Sequence, residues 1–154
     1  MKIRSYDPSD KQAVWELHNI ALAATGASYP GPWDSDFEDI EGVYIRSGGE
    51  FLIGEIDGRI IAMGALKPLT STIVELKRMR VLPPYQRMGF GQLMLDCLED
   101  RAKELGFSVI ELDTTGQQLA ARKLYEKNGY KKFGERRKSD FVELLFRKVL
   151  LSGV

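Results

Sequence analysis

From Ile73 to Asp113 the sequence reads strand, glycine loop, helix, strand, and that order leaves few folds open. Val74 and Leu76 alternate with charged residues in one phase and Met79 and Val81 continue in the other, which predicts a strand over 73–82 with a bulge where the phase slips. Pro83-Pro84 ends it. After Gly89-Phe90-Gly91, the residues Leu93, Met94, Cys97, Leu98, Ala102 and Leu105 make an apolar stripe at helical spacing, and Gly106 closes the helix. Ser108 to Asp113 is then a short apolar strand. A strand, crossover helix and second strand form a right-handed unit, so 73–82 and 108–113 are expected to be parallel neighbours.

The remaining segments build a sheet around that unit. Asp57-Gly58 joins the β-prone runs 51–56 and 60–66 as an antiparallel hairpin. Ile3 and Tyr6 mark an opening strand, and Asp7-Pro8-Ser9-Asp10 starts a helix carrying Val14, Leu17, Ala21 and Ala24. Glycines and prolines break the pattern from Thr25 to Trp33, and a second helix is expected from about Asp36 to Ser47. Gln117 to Asn128 reads as a helix, and 130–136 with 141–150 as a final β pair. The fold class is therefore α/β: a mixed sheet with helices on both faces, in one domain over residues 1–154.

Composition narrows the function. Twenty-two basic residues balance twenty-two acidic ones, which argues against a nucleic-acid partner. No apolar leader and no run of roughly 18 apolar residues is present, so a soluble cytoplasmic protein without membrane contact is expected. One cysteine, Cys97, and one histidine, His18, do not make a Cys/His metal cluster, and no metal is expected.

A loop that leaves a strand, passes two glycines and opens a helix gathers backbone N–H groups around an anion-sized concavity. By itself the pattern fits a ligand-free turn equally well. A dinucleotide fingerprint requires glycine at position 94, which is Met94, and no Gly-Lys-Ser/Thr follows for a nucleotide triphosphate loop. What does fit is Gln/Arg-x-x-Gly-x-Gly/Ala, matched by Gln86-Arg87-Met88-Gly89-Phe90-Gly91. With Glu75-Leu76-Lys77-Arg78-Met79-Arg80-Val81 before it and Ala121 to Tyr130 after it, the sequence resembles the GNAT superfamily of N-acetyltransferases.

That resemblance implies a sheet whose fourth and fifth strands splay apart, with acetyl-CoA as cosubstrate lying in the gap. It places the pantetheine arm against backbone at Met79 and Val81, and the pyrophosphate on Gln86, Arg87, Met88, Gly89, Phe90, Gly91 and Gln92. It makes Tyr125 the partner of the coenzyme sulfur. Where the family often has asparagine seven residues before that tyrosine, this chain has Gln118. In some members a glutamate at the place of Glu75 is the catalytic base.

Acyl transfer to an amine needs the neutral amine, whose pKa is near about 10.4 when lysine-like, so a proton acceptor is required. Glu75 suits that role if partly buried, and is otherwise a salt-bridged strand residue beside Lys77 and Arg78. Arg87 is either a phosphate contact or an exposed loop arginine. Cys97 lies in the apolar stripe, which favours direct attack in a ternary complex over an acyl-cysteine route. His18 is expected to be structural, with the acceptor site as its other assignment. The first helices wall the acceptor site in proteins of this kind, which nominates Ser28, Tyr29 and Trp33. The acids Asp34, Asp36, Glu38 and Asp39 either hold a cationic amine or simply favour a helix N-terminus. The function expected is N-acetylation of a primary amine on a small molecule, amino acid or peptide, and the alternative is a non-catalytic acyl-CoA-binding or sensing module. The edge left by the last β pair is compatible with a homodimer.

Overall fold

The computed structural model describes residues 1–24, 32–115 and 118–150, the side chains of residues 32 and 33 excepted. Its strands are β1 (Lys2–Ser5), β2 (Glu50–Ile56), β3 (Arg59–Pro68), β4 (Ile73–Val81), β5 (Val109–Thr115), β6 (Lys131–Arg137) and β7 (Val142–Val149), and its α-helices are α1 (Lys11–Ala24), α2 (Phe90–Glu104) and α3 (Leu119–Lys127). They form one sheet in the order β1-β2-β3-β4-β5-β7-β6. Every neighbouring pair is antiparallel except β4 and β5, the two strands joined through the crossover helix α2.

Local chemistry explains the joints. Asp57 and Gly58 take φ of 50° and 80°, the paired positive values that a two-residue hairpin between right-twisted strands requires. Asp7 caps the short turn Pro8–Asp10 ahead of α1, accepting from the Ser9 N–H while Asp10 accepts from the Asp7 N–H. Residues Ile61–Leu66 of β3 are all buried, so both faces of the sheet are covered there. α1 covers one with Val14, Leu17, His18 and Ala21. α2 covers the other with Met94, Leu95, Leu98 and Ala102. The stripe on α2 is thus rotated from the expected one: Leu95 replaces Leu93, which is 41% exposed. The rotation also buries Glu99, tolerated because Tyr130 Oη and Lys148 Nζ donate to it at 2.9 and 2.8 Å.

The expected second helix over 36–47 does not form as one piece. A 3₁₀ stretch, Pro32–Glu38, is followed by a π turn, Glu41–Ile45. Asp39 divides them by accepting from the Gly42 N–H through Oδ1 at 3.0 Å, a side-chain bond that competes with the helical ladder. Asp36 is drawn away to Arg78 and Tyr44.

Two irregularities of β4 shape the middle of the sheet. Met63 pairs with Arg80 and Ala65 with Lys77, so Arg78 and Met79 together face Gly64 in a bulge. Arg78 takes φ of 60° to make it. Gly64 is needed because a Cβ there would lie 2.5 Å from Leu98 Cδ1 and 2.9 Å from Met79 Sδ. The second irregularity is larger. The β4–β5 ladder stops after three rungs, the last being Glu75 with Glu111, although both strands continue. β4 stays with β3 to Val81 and β5 stays with β7 to Thr115, so the two diverge and open a gap in the sheet.

Candidate active site

The gap is bounded by backbone on one side. Past Glu75, β4 has no strand partner on its β5 edge among the described residues, and the carbonyls of Met79 and Val81 accept from side chains, Arg80 Nη1 at 2.9 Å and Gln86 Nε2 at 3.0 Å. From Val81 the chain passes the turn Pro83–Tyr85 and the exposed residues Gln86, Arg87 and Met88 to Gly89. Arg87 and Gly89 both have positive φ, 64° and 85°. Gly89 is the N-cap of α2, and no protein atom lies within 4 Å of a Cβ built on it, so its backbone angle and its open surroundings, not crowding, ask for glycine. The N–H groups of Phe90, Gly91 and Gln92 begin the helix and have no carbonyl one turn back to receive them. They form the donor end of the helix dipole, where an anion is favoured.

Side chains brace this end. Gln92 and Asn128 exchange amide hydrogen bonds at 2.8 and 2.9 Å, and Gln92 also donates to Asp96 at 2.9 Å. The Gln92 side chain therefore ties α2 to the end of α3. Gln118 accepts from Thr114 Oγ1 at 2.7 Å, which leaves its amide nitrogen as a donor.

Glu75 stands at the last β4–β5 rung, and Tyr125 stands on α3, the helix that follows β5. Tyr125 is buried on α3 with its ring 5.6 Å from that of Tyr130 in an edge contact, and its hydroxyl has no hydrogen-bond partner among the described residues. Burial pushes its pKa up to about 12, with Arg80 opposing and Asp113 adding to the shift. Glu75, half-buried at the last β4–β5 rung, sits 3.6 Å from Lys77 Nζ. Burial raises its pKa and the Lys77 charge only partly offsets that, so the carboxylate is more basic than a surface glutamate.

The α1 side is held by ion pairs. Arg78 bonds Asp34 at 3.0 Å and Asp36 at 2.6 Å, all three side chains nearly buried, and its guanidinium lies 4.9 Å from the Phe37 ring centroid. His18, fully buried, stacks on Phe37 with ring centroids 4.4 Å apart and places Nε2 3.2 Å from Asp34. Tyr44 donates to Asp36. Two of the acids nominated for a cationic amine are thus neutralised inside the protein, and exposed Asp39 pairs with Arg46 at 3.2 Å. Ser28, Tyr29 and the Trp33 side chain lie outside the described residues. Cys97 is half-buried on α2 beside Leu52 and Arg101, away from the gap, and burial raises its pKa.

Sequence reasoning missed Arg78 as a structural hub. One signal was present. Five acids lie without a base between Asp34 and Glu41, and two of them, Asp34 and Asp36, are the partners of Arg78.

A splayed sheet carrying an amide-lined helix start at one end of the gap defines a class. The same fold occurs in a GNAT-family acetyltransferase from Staphylococcus aureus Mu50, with a TM-score of 0.85 and 24% identity over 97% of this chain and 99% of that one. It occurs also in yncA from Salmonella typhimurium, solved with acetyl-CoA, with a TM-score of 0.81 and 22% identity over 100% and 96% of the two chains. Residues 14–130 match the model of the Acetyltransferase (GNAT) family, and the chain belongs to that family. Among curated proteins it is 34% identical over 100 residues to "Probable N-acetyltransferase camello" of Xenopus tropicalis, covering 63% of this chain and 46% of that protein. It is 30% identical over 100 residues to "Uncharacterized N-acetyltransferase YjgM" of Escherichia coli, covering 63% and 60%. The chain spans about half the length of the curated relatives it matches. Among the described residues no helix is long and apolar enough to cross a membrane, and no cluster of three metal-ligating side chains occurs.

Proposed function

We propose that the chain is an acetyl-CoA-dependent N-acetyltransferase that acetylates a primary amine by direct attack within a ternary complex. The observation that carries this reading is the end of the β4–β5 ladder at Glu75 and Glu111, which leaves the backbone of Met79 to Val81 beside a gap that leads to the N-terminus of α2. The names of the relatives and the acetyl-CoA in the yncA structure support the same reading.

The thioester supplies the acetyl group, and the residues supply position and protons. The N–H groups of Phe90, Gly91 and Gln92 take the pyrophosphate, while Met79 and Val81 offer backbone bonds to the pantetheine arm. The acceptor nitrogen bonds to the carbonyl carbon as the carbon–sulfur bond breaks. Glu75, made more basic by burial, takes the proton lost by the amine, directly or through one water. Tyr125 is fully protonated at neutral pH, so its hydroxyl donates to the departing sulfur.

Acetyl-CoA should raise the melting temperature, and coenzyme A thiol should be released when a suitable amine is added. No thermal shift at millimolar acetyl-CoA would refute donor binding. A shift without thiol release over a broad amine panel would leave a binding module.

A further inference from the structure

Among the described residues Arg80 is a largely buried cation that forms no ion pair. Its register with Met63 puts it on the same face of β4 as Lys77, opposite Ala65, and Glu75, opposite Lys67. That face is the one α1 covers, and Arg80 lies close enough to both His18 and Tyr125 for its charge to lower the pKa of each. It is thus between the α1 wall and the tyrosine at the reacting end. Among the described residues its one hydrogen bond is to the Met79 carbonyl, and no carboxylate there forms an ion pair with it. Asp34, whose charge favours it, is engaged by Arg78 and His18. The residues outside the description, 25–31, 116–117 and 151–154, contain no Asp or Glu side chain to complete the pair.

Arg78, two residues earlier, shows what a structural arginine on this strand looks like, with a carboxylate on each side. A guanidinium remains charged when desolvated, and it is the side chain best shaped for two parallel bonds to a carboxylate. A desolvated cation also repels acceptors that bring several positive charges of their own.

We propose that Arg80 anchors a carboxylate of the acceptor, and that the acceptor is therefore an amino acid or similar amine-bearing acid, not a polyamine or aminoglycoside. This rests on the N-acetyltransferase reading above. The test compares free amino acids with the same amino acids as carboxamides, and with spermidine, using the full chain and acetyl-CoA.

In the wild type the acid should be preferred by about tenfold or more in kcat/KM, mostly through KM. Arg80→Met should collapse the ratio of acid to amide toward one, and Arg80→Lys should restore part of it. Persistence of the acetyl-CoA thermal shift in Arg80→Met shows a folded protein with its donor site intact. Equal use of acid and amide by the wild type would overturn the proposal. So would a loss of the acetyl-CoA shift in Arg80→Met, which would assign the arginine to the donor. If acetyl-CoA binds and no acceptor releases thiol, the transferase reading fails by itself. Arg80 is then judged by equilibrium binding of N-acetylated amino acids against their carboxamides in the presence of coenzyme A. Carboxylate-selective binding that Arg80→Met abolishes supports the anchor, and its absence overturns it.

Discussion

The two walls of the gap are built from different materials. The wall along the second half of β4 and the start of α2 is mostly backbone: a strand edge beyond the last β4–β5 rung, a left-handed Gly89 and the first N–H groups of a helix. The wall facing α1 is mostly side chains, with Arg78, Asp34, Asp36 and His18 locked together and Arg80 beside them. Backbone recognises what every member of a family shares, because any sequence that keeps the turn keeps the amides. Side chains recognise what differs, and they are also easier to break.

That contrast predicts where mutations act. Arg78→Met should be the most destructive to the fold, since it strands Asp34 and Asp36 in a nearly buried position. Breaking such a cluster from one side costs about 3–5 kcal/mol, read as a drop in the denaturation midpoint. A loss under about 1 kcal/mol would mean that the acids find water and that this wall is not a rigid unit. Gly89→Glu should act almost wholly on the other wall, removing an acetyl-CoA stabilisation of about 4 kcal/mol at ligand a thousandfold above Kd. Its cost to the free protein is about 1–2 kcal/mol for a side chain at φ of 85°. Retained binding would displace the pyrophosphate from this loop.

The same contrast explains what was legible in the sequence. Gly89, Gly91 and the proline stop at 83–84 announce the backbone wall locally, and the parallel pairing of β4 with β5 follows from the crossover rule. Even the bulge at Arg78 shows as a slip in the alternation from Leu76 to Met79. The α1 wall depends on ion pairs spanning 42 and 44 residues, between Arg78 and the acids at 36 and 34. Nothing in the 32–45 segment alone reveals that these acids belong to a strand forty residues on, so a regular helix was the natural expectation there and a 3₁₀ stretch with a π turn is the result. The contrast with Arg80 was hidden for the same reason: among the described residues it forms no ion pair with a carboxylate, while Arg78 binds Asp34 and Asp36.

Tyr125→Phe should come next in size. The hydroxyl is the only part of the side chain lost, and the ring contact with Tyr130 is kept, so stability and acetyl-CoA binding should change little. Turnover should fall on the order of a hundredfold if the hydroxyl protonates the sulfur. Because the pKa is raised to about 12, ionisation of Tyr125 should not produce a falling limb in the rate below about pH 10. The rise in rate with pH should track Glu75, with a midpoint above that of an ordinary glutamate. An unchanged turnover number in Tyr125→Phe removes the residue from the chemistry.

The smallest expected effect is a pH dependence in the α1 wall. Burial lowers the pKa of His18, and the Arg80 charge lowers it further, against a smaller opposing pull from Asp34. A base whose folded pKa lies below its unfolded value of about 6.5 is neutral in both states at higher pH, and adds nothing there. As pH falls below about 6.5 the unfolded chain takes up a proton that the folded protein refuses, so stability declines by at most about 1.4 kcal/mol per pH unit until the lowered folded pKa is reached. Melting temperature measured from pH 7.5 down to 5 should therefore slope downward in the wild type and less so in His18→Gln. Glu75 does not mimic the effect, because an acid with a raised folded pKa loses stability as pH rises, not as it falls. Asp36, held low by its bonds from Arg78 and Tyr44 against the opposing push of burial, titrates below this window. Equal slopes in the two proteins would mean that His18 takes up its proton in the folded state, and that Asp34 neutralises the imidazolium in place.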